Sequence, residues 1–167
     1  MARLTALAKT SSELLGNPAV AQFLKEQAAG YALFYLTGGG KQINQAFDAA
    51  GYKIEFGPLG RVTTTFQERQ LARDILERNQ AEVQDDFTGR GVPLTVIIPV
   101  VDKEVGGVLT HINGDLMPIM LYNGFDKFFV LTMIKNVEAK RHYYQRIWSA
   151  LGATGFPSKI QVVGFDE

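Results

Sequence analysis

Four short stretches carry residue types that could do chemistry. In Thr37-Gly38-Gly39-Gly40-Lys41, a glycine run meets a lysine. If residues 31–36 are a strand, the order is strand, glycine loop, helix, and backbone N–H groups at such a helix start can cradle a phosphate. The full phosphate-loop pattern also needs a glycine five positions before the last one and a hydroxyl after the lysine. Tyr35 and Gln42 stand there, so the competing reading is a plain connection between two helices. His111-Ile112-Asn113-Gly114-Asp115 could pair an imidazole with a carboxylate for proton transfer. A turn with a surface histidine accounts for the same residues. Asp85-Asp86 with Asp102 and Glu104 could hold a divalent cation, but the spacing matches no calcium loop and solvated loop charges suffice. Lys140-Arg141-His142-Tyr143-Tyr144-Gln145-Arg146 interleaves basic and aromatic residues as nucleic-acid binders do. On a helix, however, Tyr144 turns inward and the basic residues form an ordinary polar face. None of the four compels a catalytic, cofactor-binding or metal-ligating assignment.

Composition narrows the field further. Seventeen Lys and Arg balance seventeen Asp and Glu, leaving no electrostatic case for nucleic acid or an anionic membrane. The same neutrality gives little repulsion between copies, which favours self-association. With no cysteine there are no disulfides, thiolate metal sites or thiol nucleophiles, and two histidines would need several carboxylates to hold a metal. No apolar run reaches the ~18 residues of a membrane span. Met1-Ala2-Arg3-Leu4 has neither the charged region nor the apolar stretch of a secretion signal, so a cytoplasmic product is expected.

The elements that would position these residues read as one domain of 167 residues: a mainly helical segment over 1–51, then a sheet with helices over 52–167. Leu4, Leu7, Ala8, Leu14 and Leu15 recur at helical spacing, which predicts a helix over 3–15. Asn17-Pro18 is a helix start. Residues 32–36 can close that helix or form a short strand. A short helix over 41–50, strands near 52–56 and 62–66, and a helix from a Thr65-x-x-Glu68 capping box to about Asp85 come next. Asn113-Gly114 and Asn123-Gly124 carry the strongest short-range hairpin signal. They predict an antiparallel meander of strands over 95–101, 108–112, 116–122 and 128–134. Pro99 and Pro118 sit awkwardly inside two of these strands. A helix over 137–151, with Val137, Tyr144, Ile147, Trp148 and Leu151 inward, and a strand over 159–163 complete an α+β fold, with the helices on one face of the sheet.

The unit over 128–165, a strand, a helix containing Tyr143-Tyr144 and a strand of the form Pro-x-x-Ile-x-Val-x-Gly, resembles the closing portion of tail-tube and baseplate proteins of contractile-tailed bacteriophages. That resemblance implies a non-enzymatic structural subunit without cofactor, made in the cytoplasm and built into a virion. Its partners would be copies of itself or other assembly subunits. The expected contact helix is the one beginning near Phe66. Its candidate interface residues are Arg69, Arg73, Asp74, Ile75, Leu76 and Glu77, with Phe87 after it. The alternative expectation is a small intracellular enzyme or nucleotide-binding domain that uses loop 38–41 for an anion.

Overall fold

The first apolar run, Leu4–Thr10, is a strand, β1, and not the expected helix. Ala6, Leu7 and Ala8 are all at most 1% exposed. Three consecutive buried side chains cannot lie on one stripe of a surface helix, but they suit a central parallel strand covered on both faces. A computed structural model describes residues 3–57, 60–103, 107–111 and 113–166, with the backbone alone at 101–103 and 107–111.

After β1 comes helix α1, Pro18–Gly30, capped as expected: Asn17 Oδ1 accepts from the N–H of Ala19 at 2.9 Å. Residues 32–36 resolve as strand, within β2, Tyr31–Leu36. Helix α2 runs Gly40–Ala49, and a two-residue hairpin comes after it, β3 at Phe56–Gly57 and β4 at Gly60–Arg61. Helix α3, Phe66–Gly89, is longer than expected and absorbs Asp86 and Phe87. Its capping box is present in both directions, with Thr65 Oγ1 accepting from Glu68 N and Glu68 Oε2 accepting from Thr65 N. Thr65→Ala should cost about 1 kcal/mol of stability in urea unfolding, the usual worth of such a cap.

The remaining elements are β5 at Leu94–Ile97, β6 at Val100–Lys103, β7 at Gly107–His111, a single helical turn α4 at Met117–Met120, β8 at Lys127–Met133, α5 at Val137–Ala150 and β9 at Ile160–Phe165. Five strands form one sheet in the order β5-β2-β1-β8-β9, and every neighbouring pair in it is parallel. Alternate side chains sort to the two faces. Ala6, Ala8, Tyr35, Val96 and Leu131 face α1 and the C-terminal half of α3. Leu7, Leu36, Phe128, Val130 and Ile160 face α4 and α5, with Tyr144 fully buried among them. A third apolar group, Ile43, Phe47, Ala72, Ile75 and Leu76, joins α2 to the start of α3.

The antiparallel meander expected over 95–134 is therefore corrected to a parallel, helix-covered sheet. Within 95–134 the antiparallel pairing among the described residues is that of β6 with β7, outside the main sheet. Residues 116–122 hold a turn of helix and not a strand. Pro118 explains this, because it sits at the start of α4, where a missing N–H costs nothing. No non-glycine residue among those described has positive φ, so neither Asn113 nor Asn123 makes the type I′ turn on which the hairpin reading rested. The strands expected near 52–56 and 62–66 shrink to the β3–β4 hairpin. Helices cover both faces of the sheet, not one. Leu151, expected to face inward, is 65% exposed.

Candidate functional site

Parallel strands place all their carboxyl ends on one edge. The chain moves outward from β1 to β2 and β5, then returns to lay β8 on the other side of β1. In open α/β sheets, ligands bind outside the carboxyl ends of the strands, near the point where the order reverses. Here that point lies beside β1, whose last residues are Lys9 and Thr10.

A crevice of about 300 Å³ opens at this edge. One wall is Lys9 and Thr10, a second is Gly38-Gly39-Gly40, and a third is Asn113-Gly114-Asp115. Arg61 and Phe56 of the β3–β4 hairpin close the side. The glycine run leads directly into α2. Gly39 occupies the cap position and no side chain caps the helix, so its first-turn N–H groups are left for a ligand or water. The run is braced from behind: Asn79 Nδ2 donates to the Gly38 carbonyl at 3.0 Å. A Cβ on Gly39 would stand 3.0 Å from that nitrogen and 3.2 Å from Leu76 Cδ2, so a larger residue there would have to push the Asn79 and Leu76 side chains of α3 aside.

Opposite the loop, one carboxylate holds two lysines. Lys9 Nζ lies 2.6 Å from Asp115 Oδ1 and Lys140 Nζ 2.7 Å from Asp115 Oδ2. Asp115 sits in a turn closed by Asn113, whose Oδ1 accepts from Asp115 N at 3.0 Å. Burial pulls the Lys9 ammonium below the ordinary lysine range; Asp115 opposes that shift and Lys140 adds to it. Burial alone would raise Asp115, but Lys9 and Lys140 outweigh it and hold the carboxyl below the ordinary aspartate range.

Arg61 adds a third cation. Its Nη2 donates to Asn44 Oδ1 at 2.5 Å and to the Gly40 carbonyl at 3.2 Å. The guanidinium lies 4.9 Å from the Phe56 ring centre and 5.2 Å from that of Phe47. Its Nη1 is buried with no hydrogen-bond partner among the described residues. The hairpin reaches this place because Gly60, at φ +118°, lets it pack on Asn113. An alanine Cβ would meet Asn113 Cβ at 3.0 Å and Cα at 3.4 Å. Gly60→Ala should therefore cost on the order of 1–3 kcal/mol in urea unfolding and displace Arg61 from the crevice.

No family model matches this chain, and no curated protein matches it in sequence. The site is thus read from its own geometry. Lys9 and Arg61 line the crevice beside an uncapped helix start, with Asp115 the carboxylate among its lining residues and Lys140 paired to Asp115 from outside that lining, an arrangement that can attract an anion.

The four stretches singled out in the sequence fare differently. Gly38, Gly39 and Gly40 line the crevice. Asp115 does too, held by lysines. The His111 side chain expected to pair with it lies outside the described residues, as do the side chains of Asp102 and Glu104. Asp86 pairs with Arg90 on α3 at 2.9 Å, and no group of three potential metal ligands occurs among the described residues. In 140–146, Lys140 turns to Asp115, while Arg141 stacks 5.1 Å from the Phe156 ring centre.

Of the candidate interface residues, Ile75, Leu76 and Phe87 are packed inside the chain. Arg73 pairs with Asp74 at 2.9 Å and with Glu77 at 3.4 Å. Arg69 donates to the Thr64 carbonyl. Lys9 and Arg61 escaped sequence reasoning as site residues, and Lys140 was singled out only as a candidate nucleic-acid contact. The available signal was a lone lysine ending an apolar run just before Thr10-Ser11-Ser12, which a helical reading of 3–15 hides.

Proposed function

We propose that this chain binds a phosphorylated small molecule in the crevice between Lys9, Asp115 and the glycine loop, and that its reaction class is phosphoryl transfer. The observation that carries this is that Lys9, held on Asp115, and Arg61 line one crevice with the glycine run that opens α2. Transfer of a phosphoryl group asks little covalent chemistry of a protein. It asks for positioning and for positive charge around the moving oxygens. These fixed cations and the helix N–H groups supply both. The test is calorimetric titration with magnesium ATP, ADP and inorganic phosphate at two salt concentrations. Saturable binding that weakens at high salt is expected. No binding by any of the three up to ~10 mM, an affinity below about 3 kcal/mol, would remove the proposal.

The structural-subunit reading remains a second proposal. In its favour, residues 128–165 form a strand, a helix and a strand, β8, α5 and β9, as the phage-tail resemblance implies. Light scattering separates the two readings: rings or a large defined oligomer speak for the subunit, and a small species that turns over nucleotide speaks against it. No helix among the described residues is long and apolar enough to cross a membrane.

A further inference from the structure

A second cavity, of about 160 Å³, lies behind the glycine loop, between α1, α3 and the end of β2. Its floor is apolar: Leu14, Val20 and Phe87 are at most 6% exposed. A cavity of about 150 Å³ with such walls accepts a benzene-sized body. Polar residues complete the lining, and two features among them stand out. At depth stands Thr37, 2% exposed, whose hydroxyl has no hydrogen-bond partner among the described residues. By strand alternation it shares the face of Tyr35, the face that carries α1 and α3, and so it is turned toward the cavity. A buried hydroxyl left without a partner is costly, and it is relieved by a ligand atom that can pair with it.

At the mouth stand Glu82 and Asp86, one helical turn apart on α3. Arg90 Nε occupies Asp86 at 2.9 Å. Glu82 has no hydrogen bond or ion pair among the described residues, so the cavity carries one uncompensated negative charge where its apolar wall ends. An anion is disfavoured there. A neutral hydrocarbon leaves both Thr37 and Glu82 unused.

We infer that this cavity is a binding site for a small organic ammonium compound whose apolar body ends in a hydroxyl. The ammonium pairs with Glu82, the body rests on Leu14, Val20 and Phe87, and the far hydroxyl meets Thr37. The site is separate from the anion crevice. The two cavities share only Leu15, Gly38 and Gln42 as a common wall, and their charges are opposite.

Four compounds of nearly one shape test this by titration calorimetry. Tyramine has both groups; tyrosol replaces the ammonium by a hydroxyl; 4-hydroxyphenylacetate replaces it by a carboxylate; phenethylamine lacks the phenol. Tyramine should bind about 10-fold or more tighter than tyrosol and phenethylamine, the worth of one charge-assisted or buried hydrogen bond, and 4-hydroxyphenylacetate should not bind. Glu82→Gln, at an exposed position, should erase the preference over tyrosol. Thr37→Val, of equal shape, should erase the preference over phenethylamine. Lys9→Met, which disables the crevice, should leave tyramine binding unchanged. Equal binding of tyramine and tyrosol, no binding of tyramine, indifference to Glu82→Gln or Thr37→Val, or loss on Lys9→Met would each overturn the assignment.

Discussion

Lys9→Met is expected to abolish most phosphate or nucleotide affinity while leaving the fold at least as stable. Lys9 stands next to last in β1, just after its buried centre Ala6–Ala8, and its side chain is largely withdrawn from water. A hydrogen bond from such a charge to a phosphoryl oxygen is worth about 1.5–3 kcal/mol, so affinity should fall roughly 10- to 100-fold. Stability should move the other way. Burial disfavours the charged lysine in the folded chain, and its pKa is lowered there. A lowered lysine pKa means the unfolded chain holds the proton more tightly. The charge therefore costs stability at neutral pH, and the cost fades as pH rises past the folded pKa toward ~10.4. Methionine keeps the length of the stem and removes the charge, and Asp115 retains Lys140. The variant should melt no lower than the unaltered chain at pH 7, with the unaltered chain gaining on it in alkaline buffer. A melting point many degrees lower, with ligand affinity intact, would make Lys9 a structural residue.

Asp115→Asn carries the opposite signature. The carboxylate neutralises two ammonium groups, and its loss leaves Lys9 and Lys140 facing each other without a counter-charge. Breaking a partly buried ion pair from one side costs about 2–3 kcal/mol, somewhat less than for a fully enclosed pair because these side chains keep some contact with water. The sign with pH comes from the depressed aspartate pKa. Its stabilisation is present in full above the unfolded value of ~3.9 and is lost as pH falls through the lower folded value. The gap between the unaltered chain and Asp115→Asn in chemical denaturation should thus be constant from pH 6 to pH 7 and shrink as pH falls from about 4 through the lowered folded value. A gap that stays open in acid would mean the residue acts by shape alone. Ligand affinity should also fall, because the two lysines lose the group that aims them.

Some of this molecule was legible in the residues themselves. Where a feature depends on neighbours a few positions away, local chemistry decides it. The Asn17 cap of α1, the Thr65–Glu68 box of α3, the α2 helix after the glycine run, and α5 with Tyr144 inward all lie where the sequence places them. The glycine loop was also visible, as a strand–loop–helix that would suit an anion if residues 31–36 were a strand, and they are.

The tertiary structure alone decided how distant segments meet. Apolar runs such as Leu4–Thr10 satisfy a helical stripe and a strand buried on both faces equally well, and only pairing with β2 and β8 selects the strand. Asn-Gly pairs signal turns, but the turn type depends on the packing of the residues beyond them. Pro118 and the packing of Met117 against the sheet made a helical turn where a hairpin was expected. The site shows the same division most sharply. Lys9, Arg61, Asp115 and Lys140 are scattered over more than a hundred positions, and no spacing rule links them. They converge because five parallel strands put their carboxyl ends on one edge and because the order reverses beside β1. A charge constellation of that kind is a property of topology, and topology is decided by long-range burial that no local pattern records.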